Sequence, residues 1–450
     1  MSELLLDVLL DGFPTPIGKL AGTSTGNTVF VYTPEYLVSG QAIPISLSLP
    51  LTEAPATDAA SRAFFDNLLQ ERDAPLRAVM DQYGIARSDI AGLLYHLGKD
   101  CAGAISVLPE GAPPAKVPGD INLDYDVLNT QELLDIVMAL HERKPLPHGR
   151  RDPSPLAGVQ SKVSLLLIPD LGFALPKPHS GAPTTHILKV PDRNHRRDAR
   201  LEQETMNLAR LCGFETANTE AVQFGELEAL VIQRFDRGRD RQGRIIRFHQ
   251  EDFAQALGLP PSLKYERNGI PGRRFDATSI RWVLDQTADP AAARLSFIRA
   301  TIFDLLTGNV DAHAKNHALL YLSGGRPHLA PRYDLLPTRL DRQLTDEFSY
   351  RIGEAERLQD IAFNDALSFL SALGVTGKNA QMRVLDEALN LIAEPLTALL
   401  ELLQAEGLKL YADLIAANMR ILLPLLGQQV PAAAQQRDAF VHGGGGWLAS

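Results

Sequence analysis

The stretch Gly308-Asn-Val-Asp311-Ala-His-Ala-Lys-Asn316 collects polar groups into one loop between two apolar segments. An apolar helical pattern, Phe297 to Leu306, precedes this loop, and a strand-like run, Ala318 to Tyr321, follows it. Phosphoryl transfer needs a carboxylate that accepts a hydroxyl proton and an oxygen ligand that holds Mg²⁺ near the phosphates. Asp311 and Asn316 suit these two roles, at the Asp-x-x-x-x-Asn spacing of kinase catalytic loops. The stretch therefore predicts the catalytic end of a kinase-like fold.

An isolated acid, Asp334, lies eighteen residues after Asn316 in Tyr333-Asp-Leu-Leu-Pro337. Kinases place the metal-binding aspartate of an Asp-Phe-Gly motif in a comparable position, although that triplet is absent here. Asp334 is therefore a candidate second ligand of Mg²⁺. Lys315 could neutralise charge on the moving phosphoryl group, and His313 could brace the loop.

Two other interpretations of the loop remain open. Aspartate and asparagine both favour turns, so Asp311 and Asn316 could simply form one. His313 and His317 stand four residues apart, a spacing that suits zinc only on a continuous helix. The residues that follow predict a strand, which makes a zinc site the weaker interpretation.

A lysine on a predicted strand is the upstream candidate. The run Thr185 to Val190 alternates with period two, and Lys189 lies on its inner face. A lysine there needs an anionic partner, and ATP phosphates provide one. Glu202 or Glu204 of the following helix could pair with this lysine, as in kinases. The alternative is an edge-strand lysine that points to solvent.

Two further segments extend the candidate nucleotide site. A glycine-containing loop before the strand Val163 to Ile168 could cover phosphates, and its candidate ATP-binding residues are Gly158, Val159, Gln160, Ser161 and Lys162. The segment Val231 to Arg237 ends a strand and begins a polar turn. Its backbone could meet an adenine edge, and Asp236 could meet the ribose hydroxyls.

Composition limits the possible partners and compartments. The 450 residues include 44 basic and 54 acidic side chains, and the net charge of -10 argues against a protein that coats nucleic acid with its whole surface. Cys101 and Cys212 are too few for a disulfide framework, which fits a reducing compartment. The start, Leu4 to Leu10, lacks a basic flank and predicts a strand, and no run of about 18 apolar residues predicts a membrane span. We expect a cytoplasmic protein without membrane contact.

The N-terminal part, residues 1–110, predicts a small α+β subdomain. Strand signals such as Thr28 to Tyr32 and Ile43 to Leu49 alternate there with helical patterns. A stretch rich in proline and glycine, Pro109 to Gly119, then breaks the pattern as a linker does.

The remainder predicts two further parts. Residues 111–248 are strand-rich with one inserted helix, Asp198 to Cys212, and predict the nucleotide-clasping part of an N-lobe. Residues 249–450 predict a helical C-lobe that carries the catalytic loop and the metal aspartate, with a short hairpin-like segment at His317 to Leu329. The fold class we predict is α+β: a two-lobed protein-kinase-like fold with a mixed N-terminal lobe, an added small α+β subdomain and an all-helical C-terminal lobe.

Together these segments resemble the HipA family of serine/threonine kinases, the toxins of bacterial type II toxin–antitoxin modules. The likeness covers most of the chain. Its motifs are Phe30-Val-Tyr32, Ile45-Ser-Leu-Ser-Leu-Pro50, Phe64-Phe-Asp-Asn-Leu-Leu69, Gly98-Lys-Asp-Cys-Ala-Gly103, Ala157-Gly-Val-Gln-Ser-Lys162, Ile187-Leu-Lys189, Arg234-Phe-Asp-Arg237, His249-Gln-Glu-Asp-Phe253, Gly308 to Asn316 and Tyr333-Asp-Leu335.

The resemblance implies roles for particular residues. Asp311 would be the catalytic base, and Asn316 and Asp334 would hold Mg²⁺. Lys189 would contact ATP, and Glu202 is favoured over Glu204 as its partner. The hinge would run from Gln233 to Phe235, and Asp236 would contact ribose.

One departure affects the regulation that the resemblance implies. The family commonly carries an autophosphorylated serine three residues before the glycine of its Ala-Gly-x-Gln-x-Lys loop, and here that place is Pro155. The neighbouring Ser154, with Arg150 and Arg151 upstream, is the candidate autophosphorylation site, and Ser161 is the alternative.

The resemblance also implies partners and a cellular role. These are a HipB-like helix-turn-helix antitoxin, operator DNA bound through the antitoxin complex, and an aminoacyl-tRNA synthetase, glutamyl type, as the substrate whose phosphorylation causes growth arrest and persistence. Lys378 and Arg383 could touch operator phosphates, or could simply form a solvated helix face. The alternatives are a small-molecule kinase and a catalytically weak co-repressor.

Overall fold

The computed structural model describes residues 4–23, 26–69, 73–147, 152, 154, 160–322 and 325–440. Its strands are β1 (Leu4–Leu10), β2 (Gly18–Gly22), β3 (Thr28–Tyr32), β4 (Ile105–Pro109), β5 (Tyr125–Val127), β6 (Ser161–Ile168), β7 (Gly172–Pro176), β8 (His186–Val190), β9 (Thr219–Phe224), β10 (Leu227–Gln233), β11 (Arg237–Arg239), β12 (Ile245–Arg247), β13 (His249–Asp252), β14 (Ala318–Tyr321) and β15 (His328–Leu329). Its helices are α1 (Pro34–Leu37), α2 (Asp58–Asp66), α3 (Asp73–Tyr83), α4 (Ile90–Leu97), α5 (Thr130–His141), α6 (Asp198–Leu211), α7 (Phe253–Ala256), α8 (Ala277–Asp285), α9 (Pro290–Thr307), α10 (Phe363–Ala372), α11 (Lys378–Ala405), α12 (Lys409–Leu425) and α13 (Ala432–Gln435).

The chain divides into two compact units, each assembled from three segments. Unit 1 comprises Met1–Arg193, Asn218–Leu263 and Ala318–Ala330. Unit 2 comprises Asn194–Ala217, Lys264–His317 and Pro331–Ser450. The three-part division at residues 110 and 248 stays a prediction.

Unit 1 begins with a four-stranded antiparallel sheet in the order β3-β2-β1-β4. Alternate residues of these strands, such as Leu6, Val8 and Phe30, are buried together with Phe64 and Leu93 of α2 and α4. This follows from period-two alternation, because a half-covered strand buries every second side chain. The strand predicted at Thr28 to Tyr32 is confirmed as β3.

The strand predicted over Ile43 to Leu49 is wrong. The segment is a turn region with a single bridge between Ser46 and Leu49. Its backbone groups bond to a side chain instead of a neighbouring strand: the Tyr32 phenol oxygen accepts from the Ile45 N–H at 2.9 Å and donates to the Leu49 carbonyl at 2.7 Å. The sequence pattern is that of a strand, but backbone groups of this segment form hydrogen bonds with the Tyr32 side chain and not with a neighbouring strand.

A six-stranded antiparallel sheet in the order β5-β7-β6-β8-β10-β9 forms the other large part of unit 1. Helix α5 covers one of its faces, and the apolar cluster there contains Ile136, Val137, Leu140, Val163, Leu165, Leu188 and Val231. Because successive strand residues point to opposite faces, Lys162 and Lys189 lie on the face away from this cluster.

Unit 1 also contains a two-stranded sheet, β11-β12, and a small sheet in the order β13-β14-β15. The hairpin-like segment predicted at His317 to Leu329 is confirmed, because β14 pairs with β15. Strand β13 joins it, so residues 249–450 are not all helical as predicted. The segment from His249 to Asp252 is too short to show a period, which explains the error.

Unit 2 is helical around a core that includes α9, whose residues from Ala300 to Thr307 are all buried. The helix predicted at Asp198 to Cys212 is confirmed as α6, and the apolar helical pattern from Phe297 to Leu306 lies within α9. Helices α10, α11 and α12 follow in the part predicted to be helical. Helix α6 ends before Gly213, which has φ 79°.

Helix α11 has the length and composition of a helix that could cross a membrane, with a mean hydropathy of 1.2. One such helix is weak evidence for a membrane span, because the core helix of a soluble protein passes the same test. Leu385, Ile392 and Leu400 of α11 are buried inside unit 2.

Candidate active site

The loop after α9 has a fixed backbone. Gly308 ends the helix in the left-handed region at φ 79°, where a side chain would be strained. The Asp311 N–H then donates to Asn309 Oδ1 at 3.2 Å, and Asn316 Nδ2 donates to the Asp311 carbonyl at 2.9 Å. These bonds close the predicted catalytic loop on itself and bring Asp311 and Asn316 together.

A buried ion pair between Arg332 and Asp304 holds the start of this loop in place. The Arg332 guanidinium donates to both carboxylate oxygens of Asp304, at 2.7 and 2.6 Å, and Asn309 Nδ2 donates to the same carboxylate at 3.1 Å. Burial raises the pKa of Asp304, and the Arg332 charge opposes that rise. Sequence analysis missed Asp304, although an acid at a core position of an apolar helix was a usable signal.

Asp334 lies in the same unit, two residues after Arg332. It is one of the non-glycine residues with positive φ, at 57°, a conformation that is uncommon outside turns and strained functional segments. The Tyr333 phenol donates to the Lys315 carbonyl at 2.7 Å, which ties this segment to the catalytic loop. Burial raises the pKa of Asp311, and the nearby Asp334 carboxylate raises it further. The two predicted acids are therefore close enough to interact.

The remaining loop candidates are buried. Lys315 and His313 each retain about 8% of their exposure. The His313 ring meets the Tyr265 ring edge-on, with centroids 5.2 Å apart, which fits the predicted bracing of the loop. His317 turns inward onto the Ala312 carbonyl, and burial lowers its pKa to about 3.

Tyr265 is a site residue that sequence analysis missed. Its phenol donates a 2.8 Å hydrogen bond to Asp311 Oδ1. The two residues are 46 positions apart, and no spacing rule connects them. The sequence Lys264-Tyr-Glu266 carried no recognisable signal.

In unit 1, the register of β6 and β8 sets Lys162 directly opposite Lys189. Side chains of directly paired residues point to the same face, so two ammonium groups are brought together on the face away from α5. Like charges in this position destabilise a strand pair, and an anion beside them would offset the repulsion. Ser161 is buried on the opposite side of β6. Gly158 and Val159 lie outside the described residues, and Gln160 immediately precedes β6.

Asp236 occupies a buried ion-pair network. Arg234 donates to its Oδ1 at 3.0 Å and to its Oδ2 at 2.9 Å, and the Gly103 N–H donates to Oδ2 at 2.9 Å. Arg237 adds a second cation at 2.9 Å. These charges hold the pKa of Asp236, which burial alone would raise, down to about 2. The predicted ribose contact therefore has no geometric support, because both carboxylate oxygens are engaged within the protein.

The predicted hinge follows β10. Gln233 is exposed, and its backbone N–H donates to the Asn218 carbonyl at 2.8 Å. Phe235, which follows Arg234 in the sequence, is half-buried. Their contact with adenine stays a prediction.

Ser154 is fully buried. Its hydroxyl donates to the Asp100 carbonyl at 3.2 Å and accepts from Arg234 Nη1 at 3.1 Å. Phosphorylation of Ser154 would require this segment to leave its position. Pro155, Arg150 and Arg151 lie outside the described residues.

Glu202 and Glu204, the two candidate partners of Lys189, both lie on α6. Glu202 is buried on α6, whereas Glu204 pairs with Arg200 at 3.4 Å and accepts from Asn207, so it is already engaged on its own helix.

At the start of α11, Arg383 lies 3.9 Å from Glu387 with both side chains mostly exposed, as on a solvated face. Pairing of Lys189 with Glu202 and DNA contact by Lys378 or Arg383 stay predictions.

Comparison with known families places the chain. A family model described as the HipA-like C-terminal domain matches residues 154–395, just over half of the chain, and one described as the HipA N-terminal domain matches residues 6–108. The chain belongs to the HipA family.

Two relatives of this chain are described as kinases. A putative kinase, Y4mE, of Sinorhizobium fredii is 35% identical over 83% of this chain and 87% of its own length. The serine/threonine-protein kinase toxin HipA of Shewanella oneidensis is 30% identical over 80% of this chain and 81% of its own length.

The fold agrees with this HipA membership. HipA of Shewanella oneidensis MR-1, solved in a complex with HipB and operator DNA, matches with a TM-score of 0.75 and 26% identity. The match covers 94% of this chain and 98% of that chain. The mixed α and β architecture is therefore that of HipA.

Proposed function

We propose that this HipA-family chain is a serine/threonine protein kinase toxin that transfers the γ-phosphate of ATP to a protein hydroxyl. The observation that carries the proposal is the closed loop in which the Asn316 side chain donates a hydrogen bond to the Asp311 backbone carbonyl. The Asp334 carboxylate lies near Asp311. A two-lobed protein-kinase-like fold is part of the same proposal.

The residues present fit a Mg²⁺ ion. Repulsion from the Asp334 carboxylate raises the pKa of Asp311, and a divalent cation beside the two acids would reduce that repulsion. Asn316 and Asp334 would hold the ion through their side-chain oxygens, the ligand type that Mg²⁺ prefers. Bound there, Mg²⁺ would supply neutralisation of phosphate charge. The described residues contain no group of three or more acidic, histidine or cysteine side chains that could hold a metal ion, so the proposed ion relies on these two ligands and on ATP itself.

The lysine pair fits a polyphosphate. Lys162 and Lys189 face each other across paired strands, and phosphate oxygens accept hydrogen bonds from ammonium groups. We assign Lys189 as the principal phosphate ligand because it is more deeply buried than Lys162. Gly158, Val159, Gln160 and Ser161 are proposed to border the phosphates, and Gln233 and Phe235 the adenine.

The protein's own chemistry in this reaction is proton transfer and charge placement. Asp311 accepts the proton of the serine or threonine hydroxyl as the hydroxyl oxygen attacks the γ-phosphorus, and the bond from that phosphorus to the bridging oxygen breaks so that ADP leaves. Burial makes the Asp311 carboxylate a stronger base than an exposed aspartate. Lys315 places a positive charge in the same loop.

The proposed partners follow from the family. The Shewanella relative was solved with HipB and operator DNA, and we propose that this chain also binds a HipB-like helix-turn-helix antitoxin and represses its operon in that complex. We propose an aminoacyl-tRNA synthetase, glutamyl type first, as the phosphorylated protein. Growth arrest, persistence and a cytoplasmic location belong to the same proposal.

The test is incubation of the full chain with γ-labelled ATP and Mg²⁺, with and without bacterial lysate. Wild type and the exposed-site control Asp126→Asn should label themselves and a synthetase-sized band, whereas Asp311→Asn should label both only at a small residual rate. Equal labelling by Asp311→Asn would remove Asp311 from its role. No labelling by wild type would favour the co-repressor function, and labelling of small metabolites alone would favour a small-molecule kinase.

A further inference from the structure

We propose that Tyr265 is a positioning residue that fixes the rotation of the Asp311 carboxylate for proton transfer. The inference rests on the proposed kinase function and adds a residue to it. The phenol donates to Asp311 Oδ1 at 2.8 Å, so the other oxygen, Oδ2, takes no part in this bond. That oxygen is the one we assign to the acceptor hydroxyl.

The catalytic loop by itself does not fix this carboxylate. The loop bonds from Asn309 and Asn316 reach the backbone N–H and carbonyl of Asp311, and neither holds the side chain. The terminal torsion of an aspartate is broad, unlike a staggered torsion between tetrahedral carbons. A carboxylate attached to a rigid backbone can therefore still turn, and a hydrogen bond to one oxygen removes that freedom.

Tyr265 is itself held from both ends. The Ala314 N–H of the catalytic loop donates to the Lys264 carbonyl at 3.1 Å, and the Glu266 N–H donates to the Ser349 carbonyl at 2.8 Å. A short 3-10 turn, Glu266–Asn268, follows directly, and the Asn268 N–H donates to the Tyr265 carbonyl at 3.1 Å. The backbone that carries the phenol is thus joined to the loop that carries the base.

The ring of Tyr265 is also confined. The Arg267 guanidinium lies 4.1 Å from the ring centroid, a cation–π contact, and the His313 ring meets the edge at 80°. Arg267 in turn donates to the Phe348 carbonyl at 3.3 Å. His313, predicted as a loop brace, acts here through the tyrosine ring.

The closing experiment separates this role from plain support of the fold. Tyr265→Phe keeps the ring and its cation–π contact and removes only the hydroxyl. Loss of alignment at a reacting group can cost about a hundredfold, so we expect kcat to fall by roughly ten- to a hundredfold. We expect the KM for ATP and the melting temperature to stay close to wild type, because nucleotide residues and packing are unchanged.

The matched control is Tyr411→Phe. Tyr411 is a buried tyrosine of the same unit whose phenol shares a 2.8 Å hydrogen bond with Thr205. The variant loses the same atom, from a more deeply buried position than that of the partly buried Tyr265, and we expect its kcat to stay at the wild-type level. A double variant completes the test: because Tyr265 acts through Asp311, adding Tyr265→Phe to Asp311→Asn should lower the residual rate no further.

The outcomes distinguish the two proposals. An active wild type with an equally active Tyr265→Phe overturns the role of Tyr265 alone. The same holds if Tyr265→Phe slows the Asp311→Asn variant as much as it slows wild type, or if Tyr411→Phe lowers kcat equally. An inactive wild type overturns the kinase function, and the assignment of Tyr265 falls with it.

Discussion

Replacing Glu251 with glutamine should remove a pH-dependent loss of stability from unit 1. Glu251 lies on β13 and is completely buried. Its Oε1 accepts from the Tyr321 phenol at 2.6 Å and from the Leu47 N–H at 3.1 Å. Burial raises the pKa of this carboxyl from an ordinary 4.5 to about 7, and hydrogen bonds from Ser46, Tyr321 and Leu47 only partly offset the rise.

The size and sign of the effect follow from proton linkage. Between pH 4.5 and pH 7 the unfolded chain releases this proton while the folded protein keeps it. The unfolded state then binds fewer protons, so the free energy of unfolding falls as the pH rises through this interval and levels off above it. At about 1.4 kcal/mol per tenfold change in proton affinity, the full loss is about 3 kcal/mol.

The assay is urea unfolding of wild type and Glu251→Gln between pH 5 and pH 8. Glutamine keeps an oxygen for Tyr321 and Leu47 but does not titrate. The difference in unfolding free energy between the two proteins should grow by about 2.5 kcal/mol in favour of glutamine over this range. The exposed control Glu220→Gln should run parallel to wild type. Parallel curves for Glu251→Gln would refute the raised pKa and the reasoning from burial.

Three further predictions test the two units. Arg332→Met should lower the free energy of unfolding by about 3–5 kcal/mol in urea titrations, because it leaves the Asp304 carboxylate buried without its cation; a change under 1 kcal/mol would contradict the pairing. Ser154→Ala should still label itself with γ-labelled ATP, and phosphopeptide mapping of wild type should find no phosphate at Ser154, because its hydroxyl is buried; stoichiometric phosphate there would show that the segment opens. Lys189→Met should weaken ATP binding ten- to a hundredfold in calorimetric titration, as expected for a charged hydrogen bond of about 1.5–3 kcal/mol, whereas the exposed control Lys99→Met should bind normally.

Periodicity predicted most of the regular structure correctly, since burial on one side imposes it. Helix α9 and strand β3 needed no knowledge of their neighbours, because their apolar spacing alone specifies a helix and a half-buried strand. The segment Ile43 to Leu49 had a similar pattern, but the Tyr32 phenol takes its backbone hydrogen bonds. A pattern reports which side chains are buried, and it does not report where the backbone bonds go.

The residues of the candidate site could likewise be predicted only in part from the sequence. Asp311 and Asn316 could be found because their chemistry depends on a fixed spacing along one loop. Tyr265 and Arg332 could not, because they reach the loop through space from separate segments. Asp236 shows the same limit: its position after a strand suggested a ribose contact, but the sequence does not show that Arg234 folds back onto it.

The buried charges of unit 1 argue that its N-terminal sheet and its later strands act as one body. The Asp100 carboxylate lies 2.9 Å from the Lys116 ammonium and 3.0 Å from Arg247 of β12. Arg247 also pairs with Asp11, and these cations hold the pKa of Asp100 far below its ordinary value against the effect of burial. Breaking a buried ion pair leaves an uncompensated charge, so separating these segments would incur several such penalties at once.

The composition change near residue 110 therefore marks a change of local sequence pattern, while buried ion pairs join residues before it to residues after it. The same cluster holds Ser154, because its hydroxyl donates to the Asp100 carbonyl.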